Sequence, residues 1–239
     1  SANDGPLDRE VINPFAQSVS TTDRVTLSAG HIGPGTVRPG QLDVPLLHLV
    51  AFNSYGVDQR LVTLTVTNAT TGPGTPSQAQ RDGELDYLQL RADGDSDGML
   101  GDLSEDPVIA TGRFQDGRAT FSPLSWDIAA GNSSHLFLVG DVSLAAAADL
   151  DVIAVNVTGG AELTFADDVV VTAAWPLESG ARWTVDGMVA DQVENFAVPS
   201  RTLAAGEGPA LVLELELPAN GYREDTLTGL KLINLGSAD

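Results

Sequence analysis

Short runs of alternating apolar and polar residues recur along this chain, separated by Gly, Asn, Asp and Pro. Residues 211–217 alternate strictly, with Leu211, Leu213, Leu215 and Leu217 on one face of a strand and Glu214 on the other. Residues 61–67 show the same pattern, with Leu at 64 and Val at 66 facing inward, and only residues 143–149 have a helical pattern. Many short strands at this spacing predict an all-β chain folded as an antiparallel β-sandwich.

The sequence also contains an internal repeat. Residues 36–40 align with 202–206, residues 61–68 align with 227–234, and both alignments have an offset of 166 positions. A fixed offset indicates tandem modules. We therefore predict an extended N-terminal segment over 1–19, a β-sandwich module over 20–187, and the first strands of a second similar module over 188–239.

The second module is incomplete in this chain, and two or three strands bury little core on their own. Its leucines need cover from the first module, from further sequence or from a neighbouring subunit. When the prolines before the two repeated strands are aligned, Val50 and Phe52 take the places of Glu214 and Glu216. The first copy's strand is then either central and covered on both faces, or it presents an apolar patch. The predicted assembly interface comprises Val50, Phe52, Leu211, Leu213, Leu215 and Leu217.

An acidic loop gives the strongest chemical signal. Asp93, Asp95 and Asp97 alternate along the chain, and Gly98 permits the sharp turn that follows. Three converging carboxylates repel one another unless a hard dication neutralises them, and this spacing is typical of the first half of a calcium loop. The alternative is a solvated acidic turn that uses Asp and Gly for backbone reasons.

The remaining ligands of this loop are less regular. The twelfth position of a regular calcium loop, where a carboxylate is expected, is occupied by Ser104. Asp106 is our first choice for the last carboxylate, and Glu105 is the second. We therefore predict one structural Ca²⁺, bound by the carboxylates of Asp93, Asp95, Asp97 and Asp106 and by the backbone carbonyl of Met99.

Two resemblances accompany this loop. The Asp-x-Asp-x-Asp-Gly pattern after the strand at 85–90 resembles the calcium loops of dockerins and thrombospondin type 3 repeats. The surrounding pattern, through 119–121 and 129–133, resembles the immunoglobulin-like or cohesin-like β-sandwich modules of large bacterial surface proteins. The resemblance to these β-sandwich modules implies an extracellular, non-catalytic protein built from tandem modules.

Charge and composition narrow the function classes. The 33 acidic and 12 basic residues give a net charge of −21, which argues against nucleic acid binding. The absence of cysteine excludes a disulfide framework and a Cys-liganded metal, and the apolar runs are too short for a membrane helix. The first residues have no signal-peptide pattern, so the chain is either cytosolic or a mature secreted form.

Other candidate sites are weaker. No Gly-x-Ser-x-Gly motif accompanies His31, His48 and His135, so we interpret these histidines as structural rather than catalytic. Trp175 and Trp183 form a candidate sugar platform, although tryptophans near strand ends more often cap a core.

The sequence thus favours a non-enzymatic, secreted structural or adhesive surface protein. It would assemble into a surface layer or filament through calcium-stabilised modules and strand pairing, with itself or with further modules as partners. The alternative is a carbohydrate-binding accessory module of a secreted enzyme, with polysaccharide as the partner. A hydrolase is the third and weakest hypothesis.

Overall fold

The computed structural model describes residues 23–187, 194–204, 206–216 and 229–233. Within them the strands are β1 (Val25–Ala29), β2 (Gly35–Val37), β3 (Val44–Asn53), β4 (Gln59–Asn68), β5 (Leu85–Ala92), β6 (Val108–Gly112), β7 (Arg118–Phe121), β8 (Trp126–Ile128), β9 (Ser133–Val142), β10 (Val152–Ile153), β11 (Val155–Asn156), β12 (Leu163–Phe165), β13 (Val171–Ala173), β14 (Trp183–Val185), β15 (Glu194–Phe196) and β16 (Glu214–Glu216). One short helix, α1 (Gln78–Asp82), and a 3-10 turn (Gly160–Glu162) complete the elements of these residues.

Two sheets enclose the core. The first has the order β13-β1-β3-β9-β5-β6, and the second has β4 at its centre, paired with β7, β8, β11 and β12. A small third sheet has the order β10-β14-β2. Apart from the parallel pairs β1–β13 and β2–β14, the pairings within this module are antiparallel. The predicted all-β antiparallel sandwich is confirmed.

Apolar side chains from both sheets form one buried cluster. Leu49 and Leu136 come from the first sheet, Leu64 and Phe121 come from the second, and each is at most 1% exposed. The alternation along each strand directs one set of side chains into this layer, which is why a sandwich forms. The strand β3 is central in its sheet, between β1 and β9, but its outer face is not fully covered, because Val50 is half-buried and Phe52 is 44% exposed.

The predicted helix at 143–149 is wrong, because these residues form turns. The backbone N–H of Ala148 donates to Glu84 Oε2 at 3.0 Å, and the N–H of Ala146 donates to Ser143 Oγ at 3.1 Å. These contacts use N–H groups that a helix would need for its own hydrogen bonds. The helix α1, which we did not predict, begins with a capping box formed by Ser77 and Gln80.

A turn near residue 40 recurs 166 positions later in the described residues. Gln41 N–H donates to Arg38 O at 3.0 Å, and 166 positions later Glu207 N–H donates to Ala204 O at 3.0 Å. In both turns the side chain at the last position also accepts from the N–H at the first position. The glycines at the third position, 40 and 206, have φ of 81° and 83°. The sequence repeat therefore has a matching backbone conformation here.

The strand pairing repeats at the same offset. Asn195 pairs with Leu215, and 166 positions earlier Ala29 pairs with Leu49. This offset places His48 and Val50 at the positions of Glu214 and Glu216, which corrects the proline-based alignment of Val50 and Phe52.

The regular strand in the second copy is shorter than predicted. It covers Glu214–Glu216, whereas 211–213 are outside any strand and 217 lies outside the described residues. The N-terminal segment 1–19 is also outside the described residues, so its prediction and the module boundaries stay predictions.

Candidate metal centre

The acidic loop connects β5 to β6 and brings three carboxylates together. One oxygen each from Asp93, Asp95 and Asp106 lies within 4.8 Å of the other two. Asp95 is exposed, Asp93 is half-buried and Asp106 is fully buried. Asp106, the predicted last carboxylate, is thus in the group together with two of the three alternating aspartates.

Backbone N–H groups hold these carboxylates in place. Asp93 Oδ1 accepts from Ser96 N–H at 2.8 Å, and Asp93 Oδ2 accepts from Gly98 N–H at 3.0 Å. Asp106 accepts from the N–H groups of Gly94 and Gly101. Gly98 has φ of 74°, the left-handed conformation expected for the glycine of this turn. These backbone donors fix the orientation of the Asp93 and Asp106 carboxylates within the loop.

One predicted carboxylate ligand, Asp97, lies outside this group. Asp97 is exposed, and its Oδ1 accepts from Met99 N–H at 2.7 Å. The Met99 side chain is exposed. Glu105, the second choice for the last ligand, is also outside the group, and its Oε2 accepts from Asp102 N–H at 3.4 Å. Ligation by Asp97 and Met99 stays a prediction.

A histidine pair lies beneath the loop. His48 Nε2 and His135 Nδ1 are 2.8 Å apart, although the two residues are 87 positions apart in sequence. His135 O accepts from Asp93 N–H at 3.2 Å, and the ring of His135 lies close to Gly98. Burial, and secondarily the neighbouring His135, lowers the pKa of His48. The fold thus brings His135 close to a loop from which it is distant in sequence.

A cavity of about 370 Å³ opens between the loop and the starts of β8 and β9. Its lining is polar and includes Asp93, Ser96, Ser133, Ser134 and His135. Asp127, also in the lining, is engaged by Arg60 at 2.6 and 2.9 Å, and the Arg60 guanidinium lowers the pKa of the Asp127 carboxyl. The loop therefore borders solvent-accessible space, and His135 of the half-buried His48–His135 pair lines the same cavity.

The candidate sugar platform is packed against the core. Trp175 and Trp183 are both half-buried and contact the core cluster. Trp183 Nε1 donates to Pro45 O at 2.7 Å. This geometry is typical of tryptophans that cap a core rather than of open aromatic surfaces.

The predicted interface residues differ in exposure. Val50 is half-buried and Phe52 is 44% exposed, on a strand whose two edges are both paired. In the second copy, Leu211, Leu213 and Leu215 are 63%, 36% and 38% exposed, and Leu217 lies outside the described residues.

The sequence matches no family model and no curated protein. Cohesin modules are among the solved structures similar to this chain. One comes from the crystal structure of the CaDoc0917–CaCohA2 complex at pH 5.5, with 16% identity and a TM-score of 0.29 over 67% of this chain and 99% of that chain. Another is the seventh ScaB type I cohesin from Pseudobacteroides cellulosolvens, with 8% identity and a TM-score of 0.26 over 70% of this chain and 94% of that chain. TM-scores this low do not carry an assignment of family or function. No helix within the described residues is long and apolar enough to cross a membrane.

Proposed function

We propose that this chain is part of a non-enzymatic structural or adhesive protein of the cell surface, built from tandem β-sandwich modules. In this proposal, Ca²⁺ bound in the loop between β5 and β6 stabilises the module, and modules associate through strand pairing. The convergence of Asp93, Asp95 and Asp106 carries the calcium part of the proposal.

The chemistry of the three carboxylates supports a hard cation. Among the described residues, no ion pair joins any of them to a Lys or Arg side chain. Oxygen atoms are the ligands that Ca²⁺ prefers, and it takes about six to eight of them, so water and loop carbonyls would complete the shell. The buried carboxylate of Asp106 accepts from the N–H groups of Gly94 and Gly101, and a bound cation would add to this compensation of its charge.

The expected role of the ion is structural. Extracellular modules bind Ca²⁺ with dissociation constants of about 10⁻⁴–10⁻³ M. At a free concentration about ten times the dissociation constant, binding adds about 1.4 kcal/mol to the free energy of unfolding. For a module of this size, that corresponds to about 3–6 °C in melting temperature.

Calorimetry in millimolar Ca²⁺ and in excess EDTA tests this proposal. We expect a higher melting temperature in Ca²⁺ for the wild type, and a loss of most of that difference in Asp95→Asn, whose exposed side chain makes the substitution easy to accommodate. Asp86→Asn is the matched control, because Asp86 is an exposed carboxylate on β5 outside the group. Asp97→Asn tests the remaining predicted carboxylate. An identical wild-type melt in Ca²⁺ and EDTA would contradict the calcium site.

A further inference from the structure

The strand β16 has one paired edge and one edge with no neighbour among the described residues. Its partner β15 pairs with it in the register that β1 has with β3, because Asn195–Leu215 corresponds to Ala29–Leu49 at the offset of 166. The second copy therefore contains counterparts of β1 and β3, which are two of the three neighbouring strands β1, β3 and β9 in the first copy.

The first copy shows what occupies the other edge. There β9 pairs with β3, and Leu136 is the partner of Leu49. In the first copy, where β9 flanks β3 and the second sheet contributes to the same core, Leu47 and Leu49 are each 1% exposed. Their counterparts in the second copy, Leu213 and Leu215, are 36% and 38% exposed.

The direction of the backbone groups on β16 follows from the first copy. Asn53 N–H donates to Asn132 O at 3.0 Å, and Asn53 O accepts from Gly131 N–H at 2.9 Å, so this odd-numbered residue of β3 bonds toward the β9 side. On the opposite side, His48 O accepts from Gly30 N–H at 2.9 Å. Hydrogen-bonding direction alternates along an antiparallel strand, so the N–H and C=O of Leu215 point to the free edge.

We propose that the free edge of β16 accepts an added strand with the character of β9, an inference that rests on the proposed tandem-module function. The partner is an extended segment with leucines on the face that meets Leu213 and Leu215, and without acidic residues opposite Glu214 and Glu216. Main-chain hydrogen bonds supply affinity in this mode of recognition, and alternate side chains supply specificity.

Charge selects among such segments. His135 faces Val50 in the first copy, so a β9-type strand would place this imidazole opposite Glu216. Like charges directly opposite each other destabilise a strand pair, and the chain carries a net charge of −21, so an acidic strand is disfavoured.

Fluorescence anisotropy tests whether the free edge of β16 accepts a strand. The probe is a labelled peptide with the sequence of residues 133–142 and a solubilising lysine tag, titrated with the intact chain. We expect saturable binding. Leu215→Pro removes the N–H that faces the added strand and should weaken binding about tenfold or more. Leu203→Ala, which changes an exposed apolar residue of the same copy outside the strand, should leave affinity within about twofold. A peptide carrying Leu136→Asp and Leu138→Asp should not bind.

Amide hydrogen exchange locates the peptide, and slower exchange at 213–216 on binding is the expected result. No binding by the wild type, equal binding by Leu215→Pro, or binding without slower exchange at 213–216 would each overturn the proposal. The melting temperatures in Ca²⁺ and EDTA report on a different part of the chain, the loop between β5 and β6. A chain that responds to Ca²⁺ but does not bind the peptide overturns the acceptor edge alone, whereas peptide binding without a calcium response overturns the calcium site alone.

Discussion

Glu84 is a buried carboxyl with a second carboxyl as its neighbour. It is 2% exposed, and Asp151 is 4% exposed. Burial, followed by the hydrogen bond with Asp151, raises the pKa of Glu84 to about 8, although the N–H of Ala148 acts in the opposite direction. The neutral form of Glu84 can donate a hydrogen bond to Asp151, and Glu84 keeps its proton at neutral pH.

This pair makes stability depend on pH. The folded-state pKa of Glu84 lies above the unfolded value of about 4.3, so the folded chain holds a proton that the unfolded chain releases. The contribution of this proton is therefore fully present below about pH 4.3, and it is lost as pH rises through about 8. We expect the melting temperature to fall across this window. Glu84→Gln, which retains an uncharged donor, should flatten the profile, while the exposed Asp86→Asn should not. Parallel profiles for Glu84→Gln and the wild type would contradict this explanation.

The site could be predicted only where its residues are close in sequence. The Asp-x-Asp-x-Asp-Gly spacing identified Asp93 and Asp95, and the need for a further carboxylate identified Asp106. Their spacing could not show that Asp97 accepts from Met99 N–H instead of joining the group. The nearby position of His135 follows from the pairing of β5 with β9, for which no short-range pattern exists.

Strand positions were predictable where turn residues bound an alternating run. The prediction over 61–67 corresponds to β4, observed as Gln59–Asn68, because Leu64 and Val66 alternate with polar residues and face the core. At 211–217 the same alternation corresponds only to the short β16. Alternation shows which side chains a strand would bury, but it does not show whether another part of the protein packs against them. The helix α1 lacks apolar periodicity. The sequence feature that indicates its start is the capping box of Ser77 and Gln80.

The contact between β2 and β14 depends on a glycine. A Cβ at Gly35 would lie 2.2 Å from Cζ3 of Trp183, whose indole N–H is bonded to Pro45 O. Gly35→Ala should therefore displace the ring and reduce the free energy of unfolding by about 1–3 kcal/mol. Urea unfolding monitored by tryptophan emission measures both effects. Gly33→Ala is the control, because no atom lies within 4 Å of its added Cβ. Equal stability of the two variants would show that the ring can move without cost.

Association of the intact chain is set by two opposing features. The net charge of −21 makes copies repel one another, whereas Leu213 and Leu215 present apolar area beside and on β16, which has one edge without a neighbour among the described residues. Because repulsion between exposed charges is screened beyond about 8 Å at physiological ionic strength, added salt should favour association.

Light scattering against protein concentration, at low and moderate salt, measures this balance. We expect the average mass to rise with concentration at moderate salt, and the rise to be lost in the double variant Leu213→Ser, Leu215→Ser. Leu42→Ser is the matched control, since Leu42 is 54% exposed and lies outside the second copy. If the double variant and the control associate equally, the second copy's leucines are not the assembly surface. If the wild type stays monomeric at every concentration, strand pairing between copies has no support. The free edge of β16 would then require a partner other than this chain.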